Sequence, residues 1–155
     1  ISTPIIMKLL EEKLEIDEII VMVQKEVAQR LVAKTGTKDV GAITYAVEYF
    51  SEAEKVIDVP KESFIPSPKV ESAVIKLKIR KEAYVQVKDE KMLFNIIQKS
   101  FSQRRKTLVN ALVNGKIVES KEKAEKIIKE LNINENIRGE KLTLEDFARI
   151  CNTIN

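Results

Sequence analysis

The sequence predicts an α/β domain in residues 1–82, followed by a small all-helical domain in residues 83–155. In the first part, apolar strand-like runs alternate with helical patterns, and two strands then follow in succession, as in the second half of an α/β sheet. In the second part, apolar residues recur at intervals of three and four. Near Glu82–Asp89 the strand pattern gives way to the helical one, which places the domain boundary there.

The α/β part is predicted to contain helices at 4–13, 25–34 and 42–50 and strands at 16–23, 54–59 and 70–80. Ser2-Thr3 ahead of Pro4 offers a hydroxyl cap for the first helix. Residues 42–50 would also suit a strand. In the last strand, Ile75, Leu77 and Ile79 alternate with cations. That alternation is typical of a half-exposed or edge strand.

The helical part is predicted to contain helices at 89–103, 105–113 and 121–131 and a last helix behind Thr143. Asn114-Gly115 should end the second helix, and Ser120 should cap the third. Thr143 with Asp146 forms a capping-box variant. Cys151 lies on the apolar stripe of the last helix, so we expect a buried small hydrophobe and not a nucleophile.

Composition excludes several classes of protein. The chain is 44% hydrophobic and 33% charged, which is ordinary for a soluble globular protein. It lacks histidine, which argues against histidine acid–base chemistry, serine–histidine triads and most zinc sites. Its four glycines are scattered and cannot form a Gly-rich phosphate loop. We therefore expect no metal and no cofactor site in this chain.

Location is predicted from the same features. No apolar run approaches the roughly 20 residues that a membrane span needs, and no signal peptide is visible. The single cysteine cannot form an internal disulfide, which favours a reducing, intracellular location. We therefore expect a cytoplasmic protein with no membrane partner. Ile1 is not a start methionine, and the chain opens at a helix start, which suggests a fragment.

Charge is uneven along the chain. Residues 1–80 carry 12 basic and 13 acidic residues, a net of −1, whereas residues 81–155 carry 15 and 11, a net of +4. This is mild evidence for a polyanionic partner of the C-terminal part. A solvated lysine-rich surface explains the same charges.

The Pro-rich segment Phe64-Ile65-Pro66-Ser67-Pro68-Lys69 leads directly into a strand. Alternate prolines fix φ and favour extended neighbours. An aromatic ring held before such a rigid run could stack on a nucleic-acid base that has left its own stack. The alternative is that Phe64 anchors the core.

Several segments, in order along the chain, resemble the rRNA adenine dimethyltransferases of the KsgA type. The matching segments are Ile1–Pro4, Val23–Leu31, Gly36–Gly41, Phe64–Ser72, Phe101–Leu108 and Arg138–Thr143. The family usually has an aromatic residue where Val40 stands, which puts a base contact by that loop in doubt. Together the segments span nearly the whole chain.

The resemblance implies the C-terminal part of a class I (Rossmann-like) methyltransferase sheet followed by a helical RNA-binding domain. It implies transfer of methyl groups from S-adenosylmethionine to the N6 amines of two adjacent adenines of small-subunit rRNA, a step in ribosome biogenesis. In the family, the Asn-Leu-Pro-Tyr (or Phe) motif precedes the Ile-Ser-Thr-Pro-like helix start, and the cofactor-binding residues lie further upstream. This chain contains neither, so we expect it to be inactive alone.

The resemblance also implies roles for individual residues. Phe64 would stack on the target adenine, and Pro66 and Pro68 would frame it. Lys69 would contact a phosphate. Arg104, Arg105 and Lys106, expected at a helix start, would dock on rRNA, with two of them touching phosphate. Lys38 is a weaker candidate for RNA binding.

Two rival functions remain open. A non-catalytic nucleic-acid-binding module of the same fold would keep the basic patch without the chemistry. An enzyme of the same class that modifies large-subunit rRNA and confers antibiotic resistance shares the Phe-x-Pro-x-Pro pattern. The Gly36–Gly41 loop and the Arg104–Leu108 stretch favour the small-subunit enzyme.

Overall fold

The computed structural model describes residues 2–154, with side chains from residue 3 onward. Ile1 and the side chain of Ser2 lie outside the described residues, and so does the hydroxyl cap predicted at Ser2. The helices are α1 (Ser2–Glu11), α2 (Lys25–Val32), α3 (Ala42–Phe50), α4 (Glu90–Ser102), α5 (Leu108–Asn114), α6 (Lys121–Glu130) and α7 (Leu144–Ile154). The strands are β1 (Glu18–Gln24), β2 (Ser51–Val59) and β3 (Ser72–Ile79), and short 3-10 turns lie at Lys61–Ser63 and Gly139–Lys141.

The described chain divides into two compact units. The α/β unit contains the chain up to Lys34 together with Ile43–Tyr84. The helical unit contains Thr35–Ala42 together with the chain from Val85 onward. The segment Thr35–Ala42 therefore packs with helices that follow it by more than forty residues.

The sheet of the α/β unit has the strand order β1-β3-β2, with β3 antiparallel to both neighbours. β1 and β2 consequently run parallel to each other, joined by α2 and α3, and β3 is inserted between them. The inward side chains Val23, Ala73, Ile75 and Leu77 are buried, and α2 packs against all three strands. This confirms the α/β class predicted from the sequence.

The position of β3 corrects one prediction. Its alternating pattern is present, since Ile75 and Leu77 are fully buried while Lys78 is exposed, which confirms a half-exposed strand. The alternative, that β3 is an edge strand, is wrong, because β3 is hydrogen-bonded to a strand on each side. Its outward cations suit a central strand because neighbouring strands supply carboxylates, as in the Lys76–Glu54 pair at 3.3 Å.

The helical unit packs α4 against α5 and α7, and α6 against α5 and α7. Its core contains Ile96, Leu112, Ile128 and Phe147, all with no exposed surface. Side-chain caps fix the helix starts. The Ser120 hydroxyl accepts from the Lys123 N–H at 3.2 Å, which confirms that cap.

The predicted capping box at α7 is also present. The Thr143 hydroxyl accepts from the Asp146 N–H at 3.2 Å, and the Asp146 carboxylate accepts from the Thr143 N–H at 3.1 Å. Each side chain thus satisfies a backbone donor that the first helical turn leaves unpaired.

The start of α5 differs from the prediction. The Thr107 hydroxyl accepts from the Asn110 N–H at 3.3 Å, so α5 begins at Leu108 and not at Arg105. The cations Arg104, Arg105 and Lys106 therefore lie in a turn between α4 and α5. The Lys106 N–H donates to the Gln103 carbonyl at 2.9 Å within this turn. A turn lets neighbouring side chains spread in directions that a helix would not allow.

Cys151 is fully buried, as predicted from its place on the apolar stripe of α7. Burial raises the pKa of its thiol from the ordinary value of 9.0, and the charge of Asp89 raises that pKa further, against a hydrogen bond to the Asp89 backbone that lowers it. A thiol held neutral is a poor nucleophile.

Over residues 2–154, no helix combines the length and apolarity needed to cross a membrane.

Candidate nucleic-acid interface

The Pro-rich segment lies at the end of the sheet where β1 and β2 both finish. Gln24, the last residue of β1, pairs with Ser72, and Ser72 pairs with Val59, the last residue of β2. The connection between β2 and β3 therefore crosses the carboxyl ends of two parallel strands. In open α/β sheets, ligands bind at this edge.

Phe64 is half-buried in this connection and has extended backbone angles. Its N–H donates to the Lys61 carbonyl at 3.3 Å, and the Ser67 hydroxyl donates to the same carbonyl at 2.9 Å. Pro66 and Pro68 are exposed. Two hydrogen bonds thus join the segment to the Lys61 carbonyl, and Phe64 remains partly exposed.

A groove of about 360 Å³ opens on the same unit, lined by Gln24, Lys25, Glu26, Gln29, Lys61, Lys69, Val70 and Glu71. Its walls come from the start of α2, the 3-10 turn after β2 and the stretch before β3. The Lys25 N–H donates to the Glu71 carbonyl at 3.0 Å, which joins the first and last of these walls. The predicted site residue Lys69 is exposed and lines this groove.

Arg104 makes contacts that its two neighbours do not make. Its guanidinium donates to the Val40 carbonyl at 3.0 Å and lies 3.8 Å from the Glu140 carboxylate. It also stands over the Phe101 ring, 5.5 Å from the centroid. Arg104 therefore joins the segment Thr35–Ala42 to the turn after α4.

Arg105 and Lys106 are exposed, and within residues 2–154 their side chains have no hydrogen-bond or ion-pair partner. The same holds for Lys38, which is exposed at the tip of the segment Thr35–Ala42. The structure thus places Lys38 and the three turn cations on the helical unit, and Phe64, Pro66, Pro68 and Lys69 on the α/β unit.

The segment Thr35–Ala42 is held to the helical unit at both ends. The Thr35 hydroxyl accepts from the Leu144 N–H at 3.2 Å. Gly36 has φ +88°, a conformation that favours glycine, and a Cβ there would lie 3.4 Å from the Thr143 side chain. Val40 is buried, so its side chain fills the core and does not face a ligand.

The α/β unit does not fit the cofactor that the resemblance implies. All four glycines of the chain, Gly36, Gly41, Gly115 and Gly139, fall in the helical unit. A loop whose backbone approaches a nucleoside or phosphate closely needs glycine, and this α/β unit has none. In the described part of the chain there is also no group of three or more potential metal ligands.

Sequence reasoning missed Lys25 and Lys61, which line the groove beside Lys69. Their positions, one at the start of a helix and one after a proline, carried no signal because the groove forms only when three separate segments of the chain pack together. It also missed the support that Glu140 and Thr35 give to the basic turn and its neighbouring segment, since these contacts join residues far apart in sequence.

A sequence profile described as "Ribosomal RNA adenine dimethylase" matches residues 1–155. The chain is 49% identical over 158 residues to "Ribosomal RNA small subunit methyltransferase A" of Geobacillus sp. (strain WCH70), covering 99% of this chain and 54% of that protein. It is 45% identical to the protein of the same name from Alkaliphilus metalliredigens (strain QYMF), with coverages of 99% and 54%. The chain thus spans about half the length of the curated relatives it matches.

Solved structures resemble the chain as well. A dimethyladenosine transferase from Plasmodium falciparum superposes with a TM-score of 0.78 at 25% identity, over 96% of this chain and 61% of that one. The 23S rRNA methyltransferase ErmE superposes with a TM-score of 0.63 at 19% identity, over 96% and 59%. The second likeness shows a shared fold only.

Proposed function

Because the chain belongs to the ribosomal RNA adenine dimethylase family, we propose that the intact protein dimethylates the N6 amines of two adjacent adenines in small-subunit rRNA. S-adenosylmethionine supplies the methyl groups in this reaction. The protein acts in the cytoplasm, where it meets the assembling small ribosomal subunit. The chain described here contributes the grip on the adenine and part of the RNA-docking surface.

The observation that carries the proposal is the placement of Phe64. Phe64 is partly exposed, lies in the connection that crosses the carboxyl ends of β1 and β2, and donates its N–H to the Lys61 carbonyl. A base that leaves its stack loses a few kcal/mol and needs a new stacking partner. Phe64 supplies such a partner at little entropic cost, because Pro66 and Pro68 restrict the segment that follows it.

The helical unit supplies the second contact with RNA. Arg105, Lys106 and Lys38 are exposed cations whose charges no neighbouring carboxylate neutralises among residues 2–154. Contacts between such cations and phosphates position a protein on RNA without reading its sequence. Arg104 acts mainly by holding the Thr35–Ala42 segment beside this turn.

Cofactor binding is assigned to residues outside this chain, because the α/β unit lacks the glycines that a cofactor loop requires. We derive from this that the 155-residue chain alone does not methylate RNA. It would still bind RNA through the helical unit, in the manner of a non-catalytic module.

The test is methyl transfer by the intact protein, with radiolabelled donor, to assembled small subunits and to isolated large-subunit rRNA. The expected result is two labelled adjacent adenines in the small-subunit rRNA and none in the large. Label in large-subunit rRNA would favour the resistance-type enzyme instead. Absence of label from both RNAs, with RNA binding retained, would favour the non-catalytic module.

A further inference from the structure

We propose that Lys25, Lys61 and Lys69, here called the groove lysines, bind the phosphodiester backbone of the single-stranded RNA that flanks the adenine stacked on Phe64. This inference rests on the proposed function and adds a second phosphate-binding site, on the α/β unit. It assigns a ligand class to Lys25 and Lys61, for which the sequence predicts no role.

Backbone contacts bring the groove lysines together from three separate segments. Lys25 begins α2, and its N–H is bonded to the Glu71 carbonyl at 3.0 Å, two residues after Lys69. Lys61 begins the 3-10 turn, and its carbonyl accepts from the Ser67 hydroxyl, two residues before Lys69. All three residues line one groove of about 360 Å³, which lies in the size range of small-ligand sites.

The charge in the groove is unbalanced. Each of the groove lysines is exposed and, over residues 2–154, makes no ion pair. Two carboxylates also line the groove, but Glu26 is already paired with Arg30 at 2.9 Å. The groove is thus lined by three lysines and by one carboxylate, Glu71, that has no such pair. Like charges that line one groove repel each other, and a bound phosphate would relieve that repulsion.

The position of the groove relative to Phe64 selects the ligand. Lys61 lies one turn before Phe64 and is bonded to it through the backbone at 3.3 Å. A flipped base remains attached to its sugar and phosphates, so the flanking backbone must pass close to the ring on which the base stacks. A groove whose lining includes Lys61, three residues before Phe64, therefore suits phosphodiesters of the same strand.

The experiment measures binding of the intact protein to a short single-stranded RNA with two adjacent adenines, at several salt concentrations. The variant is K25Q/K61Q/K69Q, and the matched control is K78Q/K81Q/K91Q, three exposed lysines outside this groove that likewise make no ion pair over residues 2–154. The groove variant should lower the slope of log Kd against log salt by about 2, since each lysine–phosphate contact on a single strand contributes about 0.7. The control should leave the slope unchanged.

A second arm replaces the phosphates flanking the adenines by neutral methylphosphonates. This RNA should bind wild-type protein about tenfold more weakly, the loss expected for a charge-assisted contact, and should bind the groove variant no more weakly than normal RNA. An equal slope change in both triple variants, or a methylphosphonate penalty that persists in the groove variant, would overturn the inference. Failure of the proposed function would show differently, as an absence of any preference for adenine at the Phe64 site.

Discussion

The Phe64 segment and the Arg104–Lys106 turn differ in the chemistry of the side chains that they present. The first presents one half-buried aromatic ring among exposed prolines. The second presents cations, of which Arg104 is fixed by Val40 and Glu140 while Arg105 and Lys106 reach into solvent. An aromatic ring gains binding energy only when a base stacks on it, whereas an exposed cation binds phosphates whatever the base sequence.

This difference is the basis for the proposed separation of base recognition, at Phe64, from docking on phosphates, at the Arg104–Lys106 turn. Stacking buries apolar surface and is almost insensitive to salt, whereas phosphate contacts release counterions and weaken steeply as salt rises. Substitutions in the two regions should therefore change different observables.

The largest effect is expected for Phe64→Ala in the intact protein. Loss of one base–aromatic stack costs about 1–3 kcal/mol, so methyl transfer to small subunits should fall by roughly 5- to 150-fold. Phe64→Trp should retain most activity, because it keeps a stacking surface. Initial rates of label incorporation give the measurement. An Ala variant as active as wild type would mean that Phe64 is a core anchor and no more.

The next effect is expected for Arg105→Gln combined with Lys106→Gln. If both contact phosphate, the slope of log Kd against log salt should fall by about 1.4 on single-stranded RNA. Affinity should drop equally for RNA of any sequence. The matched control is K121Q/K126Q on α6. A drop confined to adenine-containing RNA would contradict the assignment of this turn to docking.

A smaller effect is expected for Arg104→Met. The Val40 carbonyl loses its donor, which should lower the free energy of unfolding by about 1 kcal/mol. The pair with Glu140 adds little, because both side chains are partly exposed. Urea denaturation measures the loss, and amide exchange should quicken in residues 35–42. If stability is unchanged and the salt slope falls instead, Arg104 is a phosphate contact like its neighbours.

Most of the fold could be predicted because its signals are local. The alternation in Ser72–Ile79, the hydroxyl of Ser120 and the box of Thr143 with Asp146 each act within a few residues. Of the two alternatives for β3, half-exposed or edge, the edge alternative is wrong for the opposite reason. Strand order depends on which strands pair across the chain, and one strand's pattern of exposure does not contain that information.

The site was predictable only where the family resemblance supplied it. Phe64 and Lys69 stand in a recognisable motif, but Lys25 reaches the same groove through the contact of Lys25 with Glu71. The structural role of Arg104 likewise depends on Val40, sixty-four residues away. Such contacts are set by tertiary packing, so they leave no periodic or spacing signal in the sequence.

The smallest effect concerns Cys151, which is fully buried in the helical unit. Its thiol pKa is raised by burial, so the folded state favours the neutral thiol. The resulting stability is complete below the ordinary pKa of 9.0 and is lost as pH rises above it. Urea unfolding at pH 7 and pH 10 should show a slightly steeper loss for wild type than for Cys151→Ala. An identical pH dependence would contradict this.

The most direct test of the separation is the affinity ratio between RNA with the target adenine and RNA with an abasic site in its place. The ratio should be about 5 to 150 for the intact wild-type protein, from one base–aromatic stack. It should fall close to 1 for Phe64→Ala and stay at the wild-type value for R105Q/K106Q. A ratio that survives loss of the Phe64 ring, or that collapses when the two cations are removed, would contradict the division into a base-gripping segment and a phosphate-docking turn.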